Sequence, residues 1–169
     1  MKEMGFTHES TFNESKEWYT PPAIFNALGL RFDMDVASPG AAAVPWIPAT
    51  RHLTVVENGL ITPWEGRIWL NPPYGSDTPV WMSRFAAYDN GIMLVFARTD
   101  TAWFHEHAAR CRALCFIRGR VSFIRADGKT GGGAGAGSLL IAQGQECADA
   151  LRRCGLGLFI DLGACRSVS

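Results

Sequence analysis

Apolar residues recur along this chain in two rhythms, short unbroken runs and helix-spaced stripes, and their alternation lays out the expected elements. Gly91 to Ala97 is a continuous apolar run of the kind that a strand covered on both faces requires. Residues 31–37 and 67–70 read as two further short strands, and His52 to Val56 as another, followed by a turn at Asn58-Gly59. Between these runs the spacing changes to that of helices. Ile24, Phe25 and Leu28 share one face, with Thr20 as the N-cap, Pro21 at the first helical position and Gly29 as the stop. Trp81, Phe85 and Tyr88 define a second helix, capped by Asp77 or Thr78 with Pro79 following, and ended by Gly91. Asp100 caps a third, in which Phe104, His107, Ala108 and Cys111 fall on one side. Pro39 to Thr50 has no period and reads as loop. Strand alternating with helix predicts an α/β layered fold with a largely parallel sheet.

The last third predicts a β-rich C-terminal part, with strands at Ala113–Ile117, Arg120–Ile124, Leu139–Ala142 and Gly157–Leu162. Among them lies a glycine-rich segment, 128–137, whose Gly128-Lys129-Thr130 string superficially matches a phosphate-binding loop. The glycines follow the lysine instead of preceding it, and no helix pattern begins there, so that reading fails on context. Two readings stay open: a surface loop that orders on a bound partner, and a plain linker. No internal repeat interrupts the pattern, so residues 17–169 are expected to form one domain behind a polar arm, residues 1–16. That arm lacks the apolar core of a signal peptide.

A chain of 169 residues holds one sizeable core. No apolar run is long enough to span a bilayer. The five cysteines form no Cys-x-x-Cys pair, and His105 and His107, two apart, point to different sides of a helix. A metal site is not expected, and free thiols fit a reducing, cytoplasmic location. The formal net charge is zero, but residues 98–129 carry seven basic side chains against three acidic ones, a local surplus of four. Such a surface fits phosphate contacts and equally fits a salt-bridged face.

The candidate chemistry sits where the 67–70 strand runs into Asn71-Pro72-Pro73-Tyr74. A strand's carboxyl end is where open α/β sheets bind ligands. Asn71 Oδ1 and the Pro72 carbonyl can each accept an N–H of an exocyclic amine, which turns the nitrogen lone pair toward an electrophile. Pro72 and Pro73 stiffen the turn, and Tyr74 offers an aromatic face to a planar ring. The competing reading is a strand-ending turn with no chemistry. The motif specifies a nitrogen attached to an sp² carbon, and it does not single out adenine.

Several motifs in one order resemble the small phage-type DNA N-6-adenine methyltransferases. These are Trp18-Tyr19-Thr20-Pro21, then Phe32-Asp33-Met34-Asp35-Val36-Ala37-Ser38, then Gly59-Leu60 and Trp64 ahead of Asn71-Pro72-Pro73-Tyr74. Arg98-Thr99-Asp100-Thr101, Trp103-Phe104 and Gly119-Arg120-Val121-Ser122-Phe123 complete the set. The likeness covers roughly residues 17–143. It implies an abbreviated Rossmann-like methyltransferase fold that moves a methyl group from S-adenosylmethionine to N6 of a flipped-out adenine in DNA. It implies catalytic roles for Asn71, Pro72, Pro73 and Tyr74. It also implies cofactor contacts from Tyr19, Thr20, Pro21, Asp35, Ala37, Ser38 and Asn71. Asp33, two residues before Asp35, is the alternative acid, and a solvent-exposed strand-end carboxylate is the plain alternative for either. Arg98, Asp100, Arg120 and Lys129 are the residues expected to meet DNA, although Asp100 is a helix cap first and Arg120 also suits an internal salt bridge.

The chain departs from larger methyltransferases in lacking a Phe-x-Gly-x-Gly loop; Pro39-Gly40 stands in that place. Only 35 residues lie between Asp35 and Asn71, too few for two more strand–helix units. The ribose-binding acid is therefore unassigned, with Glu57 as the candidate. Two other functions fit the residues: the same chemistry on RNA or a protein amide, and a nucleic-acid-binding module that has lost the donor.

Overall fold

The computed structural model describes residues 18–131 and 135–165. The arm expected over 1–16 and the centre of the glycine-rich segment lie outside these residues. Seven strands form one sheet: β2 (Phe32–Asp35), β3 (Ala49–His52), β4 (Ile68–Leu70), β5 (Gly91–Phe96), β6 (Ala113–Ile117), β8 (Ser138–Gln143) and β9 (Gly157–Asp161). Their order is β3-β2-β4-β5-β8-β6-β9. The contacts among β3, β2, β4 and β5 are parallel, and those of β8 with β5 and β6, and of β9 with β6, are antiparallel. Because β8 opposes both of its neighbours, β5 and β6 run the same way, so β8 and β9 alone oppose the common direction. The expected parallel sheet is thus realised in one half, and the β-rich C-terminal part builds the other. A separate two-stranded sheet joins β1 (Trp18–Tyr19) to β7 (Ile124–Arg125).

Side chains of the central strands divide between two cores by simple alternation. Trp69, Ile92 and Leu94 face one way with α1 (Pro22–Leu28) and α4 (Gln145–Arg153). Ile68, Leu70, Met93 and Val95 face the other way with α2 (Thr78–Ala87) and α3 (Ala102–Glu106). Residues Ile92 to Val95 are all fully buried, as the uninterrupted apolar run requires.

Several expected boundaries move, each for a local reason. The N-cap of α1 is Pro21, not Thr20; its extended ψ of 150° places Pro22 at the first helical position. Gly29 does stop that helix, at φ 62°. The strand expected at 52–56 lies at 49–52 instead. It is a sheet edge with exposed middle residues, so it shows no apolar alternation, while Thr54 begins a turn closed by Glu57. Tyr88 caps α2, and Gly91 already belongs to β5, where a Cβ would lie 2.7 Å from the Ile68 carbonyl. Thr101, not Asp100, caps α3. The 120–124 strand shrinks to Ile124–Arg125: Val121 and Phe123 point inward as the alternation demands, but among the described residues strand pairing begins only at Ile124. The helix α4 was not expected at all. Its buried face is made of Cys147, Ala148, Ala150 and Leu151, opposite exposed Gln145, Glu146, Arg152 and Arg153, a helical alternation that the sequence does carry.

Candidate functional site

The chain leaves β2 toward β3 on one side and leaves β4 toward β5 on the other, so a crevice opens where the carboxyl ends of β2 and β4 diverge. That is the topological switch point at which open α/β sheets take ligands. A cavity of about 520 Å³ occupies it, within the range of small-molecule sites. Its walls include Tyr19 and Thr20 from β1 and the turn after it, Asp35 to Pro39 after β2, Thr54, Val55 and Asn58 after β3, and Asn71 to Tyr74 after β4.

Most of the expected cofactor and catalytic residues therefore meet in one place. Pro21 is not among the lining residues, and neither is Asp33. The two acids diverge because Asp33 is exposed and its Oδ2 accepts the Arg67 N–H at 2.6 Å, whereas Asp35 is 2 % exposed. Asp33 thus ties β2 to the start of β4, and Asp35 is the acid that faces the cavity. Glu57 also falls outside the lining: its carboxylate accepts the Thr54 N–H at 2.8 Å and the Thr54 hydroxyl at 2.5 Å. Those bonds hold its carboxyl below the usual carboxylate range, the Thr54 hydroxyl foremost. It closes its own loop.

The loop after β3 is pressed onto the end of β2 at Gly59, where an added Cβ would lie 1.8 Å from the Val36 carbonyl oxygen. No side-chain rotation relieves a clash between backbone and Cβ, so Gly59→Ala must push the loop off β2. We expect a loss of about 1–3 kcal/mol in a denaturant melt, with weakened ligand binding in the cavity; an unchanged melt would show that the loop sits differently.

Asn71 is held at both ends of its amide. Nδ2 donates to the Trp18 carbonyl at 2.7 Å, and Oδ1 accepts the Tyr74 hydroxyl at 3.0 Å. The carbonyl fixes the amide's sense, since a flipped amide would set two oxygens against each other. Oδ1 keeps a second lone pair, and no hydrogen bond reaches the Pro72 carbonyl among the described residues. Tyr74 stacks on Phe96 at 4.1 Å and 14° and meets the edge of Phe123. Burial pushes its hydroxyl well above the ordinary tyrosine range, so it remains a donor at any physiological pH. The role of this shell escaped the sequence reading, because Trp18 and Phe123 come together through the β1–β7 pairing and Phe96 arrives at the end of β5, beside β4, from distant parts of the chain.

The cavity's polar lining includes an acid suited to a cationic ligand. Asp35 has one side-chain partner among the described residues, His52 Nδ1 at 3.5 Å, which leaves a buried carboxylate weakly compensated. Among the described residues, fully buried Thr20 has no hydrogen-bond partner for its hydroxyl, and neither has the Trp69 indole N–H. Ile47, Leu53 and Val55 add apolar wall for a purine.

Of the residues expected to meet DNA, Arg98, Asp100, Arg120 and Lys129 are all exposed, and none lines the cavity. Arg98 and Arg120 have no carboxylate within salt-bridge distance among the described residues, while Lys129 lies 3.8 Å from Asp127. Lys129 is carried by a hairpin in which Arg125 and Lys129 bond through the backbone and Gly131 packs on Trp18, so the start of the glycine-rich segment is anchored. Among the described residues no helix is long and apolar enough to cross a membrane, and no group of His, Cys, Asp and Glu is placed to hold a metal ion.

Fold and cavity together define an α/β protein whose ligand cleft ends in a rigid Asn-Pro-Pro-Tyr turn. The family model for DNA N-6-adenine-methyltransferase (Dam) matches residues 9–146, most of the chain, and the protein belongs to that family. No curated protein and no solved structure matches the chain.

Proposed function

We propose that this protein is an S-adenosylmethionine-dependent enzyme, of Rossmann-like architecture, that methylates N6 of an adenine flipped out of DNA. The observation that carries the reading is the meeting of Asn71, Pro72 and Asp35 around one cavity at the switch point of the sheet. S-adenosylmethionine, when bound, supplies an electrophilic methyl group on a positively charged sulfur. Asp35 would hold its charged end, with Thr20, Ala37 and Ser38 lining the approach. Asn71 Oδ1 and the Pro72 carbonyl would accept the two amine hydrogens. Those acceptors restore electron density to a nitrogen conjugated with its ring, and they stabilise the positive charge that grows on it. The Trp18 carbonyl holds the Asn71 amide in the required sense before substrate arrives. The amine nitrogen would take the methyl group in line as its bond to sulfur breaks, releasing neutral S-adenosylhomocysteine, and the extra amine proton would leave to water. A duplex adenine must leave the stack to reach this depth, and exposed Arg98, Arg120 and Lys129 would hold phosphates outside the cavity.

The test is incubation of the full chain with methyl-labelled S-adenosylmethionine and, separately, duplex DNA, RNA and a protein substrate. Label in DNA as N6-methyladenine is the expected result. Label in RNA or protein alone would move the activity to another polymer.

Tyr74 separates stacking from support. Tyr74→Phe keeps the ring on Phe96 but drops the bond to Asn71 Oδ1, so turnover should fall modestly, by about 0.5–1.5 kcal/mol, roughly two- to tenfold. Tyr74→Ala should also lose base stacking worth ~1–3 kcal/mol, a loss that shrinks on a mismatched adenine because unpairing costs less. Kinetics on paired and mismatched duplexes, with melting curves, distinguish the cases. Equal losses on both substrates with a lowered melting point would mean that Tyr74 only packs on Phe96 and Phe123.

A further inference from the structure

Behind the cavity wall, His52 connects two of the residues that line it. Its Nδ1 lies 2.9 Å from Ser38 Oγ and 3.5 Å from Asp35 Oδ2, and the Ser38 oxygen also accepts the Gly40 N–H at 3.0 Å. His52 itself is not a lining residue; it reaches the site because it pairs with Asp35 in the β2–β3 register. The geometry has two consistent proton arrangements. With the ring neutral, Ser38 gives its one hydroxyl hydrogen to Nδ1, and the ring's proton sits on Nε2. With the ring protonated, Nδ1 becomes a donor toward both the Ser38 oxygen and the Asp35 carboxylate. In the first state the buried carboxylate has no cationic partner among the described residues; in the second it has one at 3.5 Å.

We propose that His52 is a positioning residue that sets, through its own protonation, the charge Asp35 presents to the cationic end of a sulfonium ligand. The inference rests on the donor-binding reading of the cavity. The neutral ring leaves Asp35 free to hold the sulfonium, while the protonated ring competes for the carboxylate and places a like charge behind it. The other groups around His52 do not substitute for this pair. Strand β2 contributes Asp35 and the loop after it the uncharged Ser38; β3 carries the exposed Arg51; and Glu57 on the following loop is closed on Thr54.

S-adenosylhomocysteine isolates the effect, since it shares the nucleoside and amino-acid groups of the donor but lacks the sulfonium charge. Calorimetric titration of the full chain with both ligands, from about pH 8 to about pH 5, gives the ratio of their affinities. In the wild type the preference for S-adenosylmethionine should fall about tenfold toward the acid end, the effect of one charge contact on an equilibrium. In His52→Asn, and in His52→Gln as a second variant should the first fold poorly, the ratio should stay flat at its high-pH value. Asp35→Asn should also flatten it, at a lower value. A ratio independent of pH in the wild type, or a pH dependence that survives in a folded His52 variant, overturns the proposal. Failure of the wild type to bind S-adenosylmethionine at any pH would instead overturn the donor-binding reading beneath it.

Discussion

Asn71→Ala is expected to fold, to bind the donor and to transfer almost no methyl groups. The substitution removes one of the two acceptors aimed at the amine and also releases the Trp18 carbonyl and the Tyr74 hydroxyl from their shared partner. A lost preorganised hydrogen bond to a transition state costs about 2.7–4 kcal/mol, or roughly a hundred- to a thousandfold in turnover. The loss should appear in kcat far more than in the KM for the donor, because the amide acts on the amine and not on the cofactor. Melting curves matter here, since the residue also ties β1 to the loop after β4. A folded Asn71→Ala protein with near wild-type turnover would mean that the amine is oriented by other groups.

Asp35→Ala is expected to do the reverse, weakening the donor by about 10- to 100-fold while leaving DNA affinity nearly unchanged. The carboxylate is 2 % exposed beside one histidine, so its charge is available to a cation and scarcely screened by water. Asp33→Ala is the matched control. That side chain accepts the Arg67 N–H and lies outside the cavity, so its loss should lower the melting temperature without altering donor affinity. Calorimetric titration of both variants with S-adenosylmethionine checks the assignment. Unchanged affinity in Asp35→Ala with loss in Asp33→Ala would exchange the two roles.

The contrast between these two acids marks where the sequence stops being informative. Strict strand alternation would put them on one face, but the N–H groups of Asp33 and Met34 both turn to the Arg67 carbonyl, and Phe32 and Met34 enter different cores, so the alternation breaks between the two acids. The Asn-Pro-Pro-Tyr turn was legible because its chemistry lies in contiguous residues, as was the β5 run, whose burial on both faces is written in an unbroken apolar string. His52, Trp18 and Phe96 were not, because their roles come from strand register and ring stacking across long stretches of chain. The edge strand β3 was hidden because its polar middle residues show no apolar alternation. The helix α4 was legible and went unread: Cys147, Ala148, Ala150 and Leu151 alternate with Gln145, Glu146, Arg152 and Arg153 at helical spacing. Of the seven basic side chains between 98 and 129, Arg112 is half-buried and paired with Asp161, and the other six are exposed.

The central claim is transfer of a methyl group to adenine N6 in DNA, with Asn71 as the orienting acceptor. Long-read sequencing of DNA from cells expressing the wild-type chain or Asn71→Ala, in a host lacking adenine methylation, reads activity, base and sequence context together. The account predicts N6-methyladenine in the wild-type sample and its near absence in a folded, equally expressed Asn71→Ala sample. Unmodified DNA from the wild type, or equal methylation from both, would contradict it.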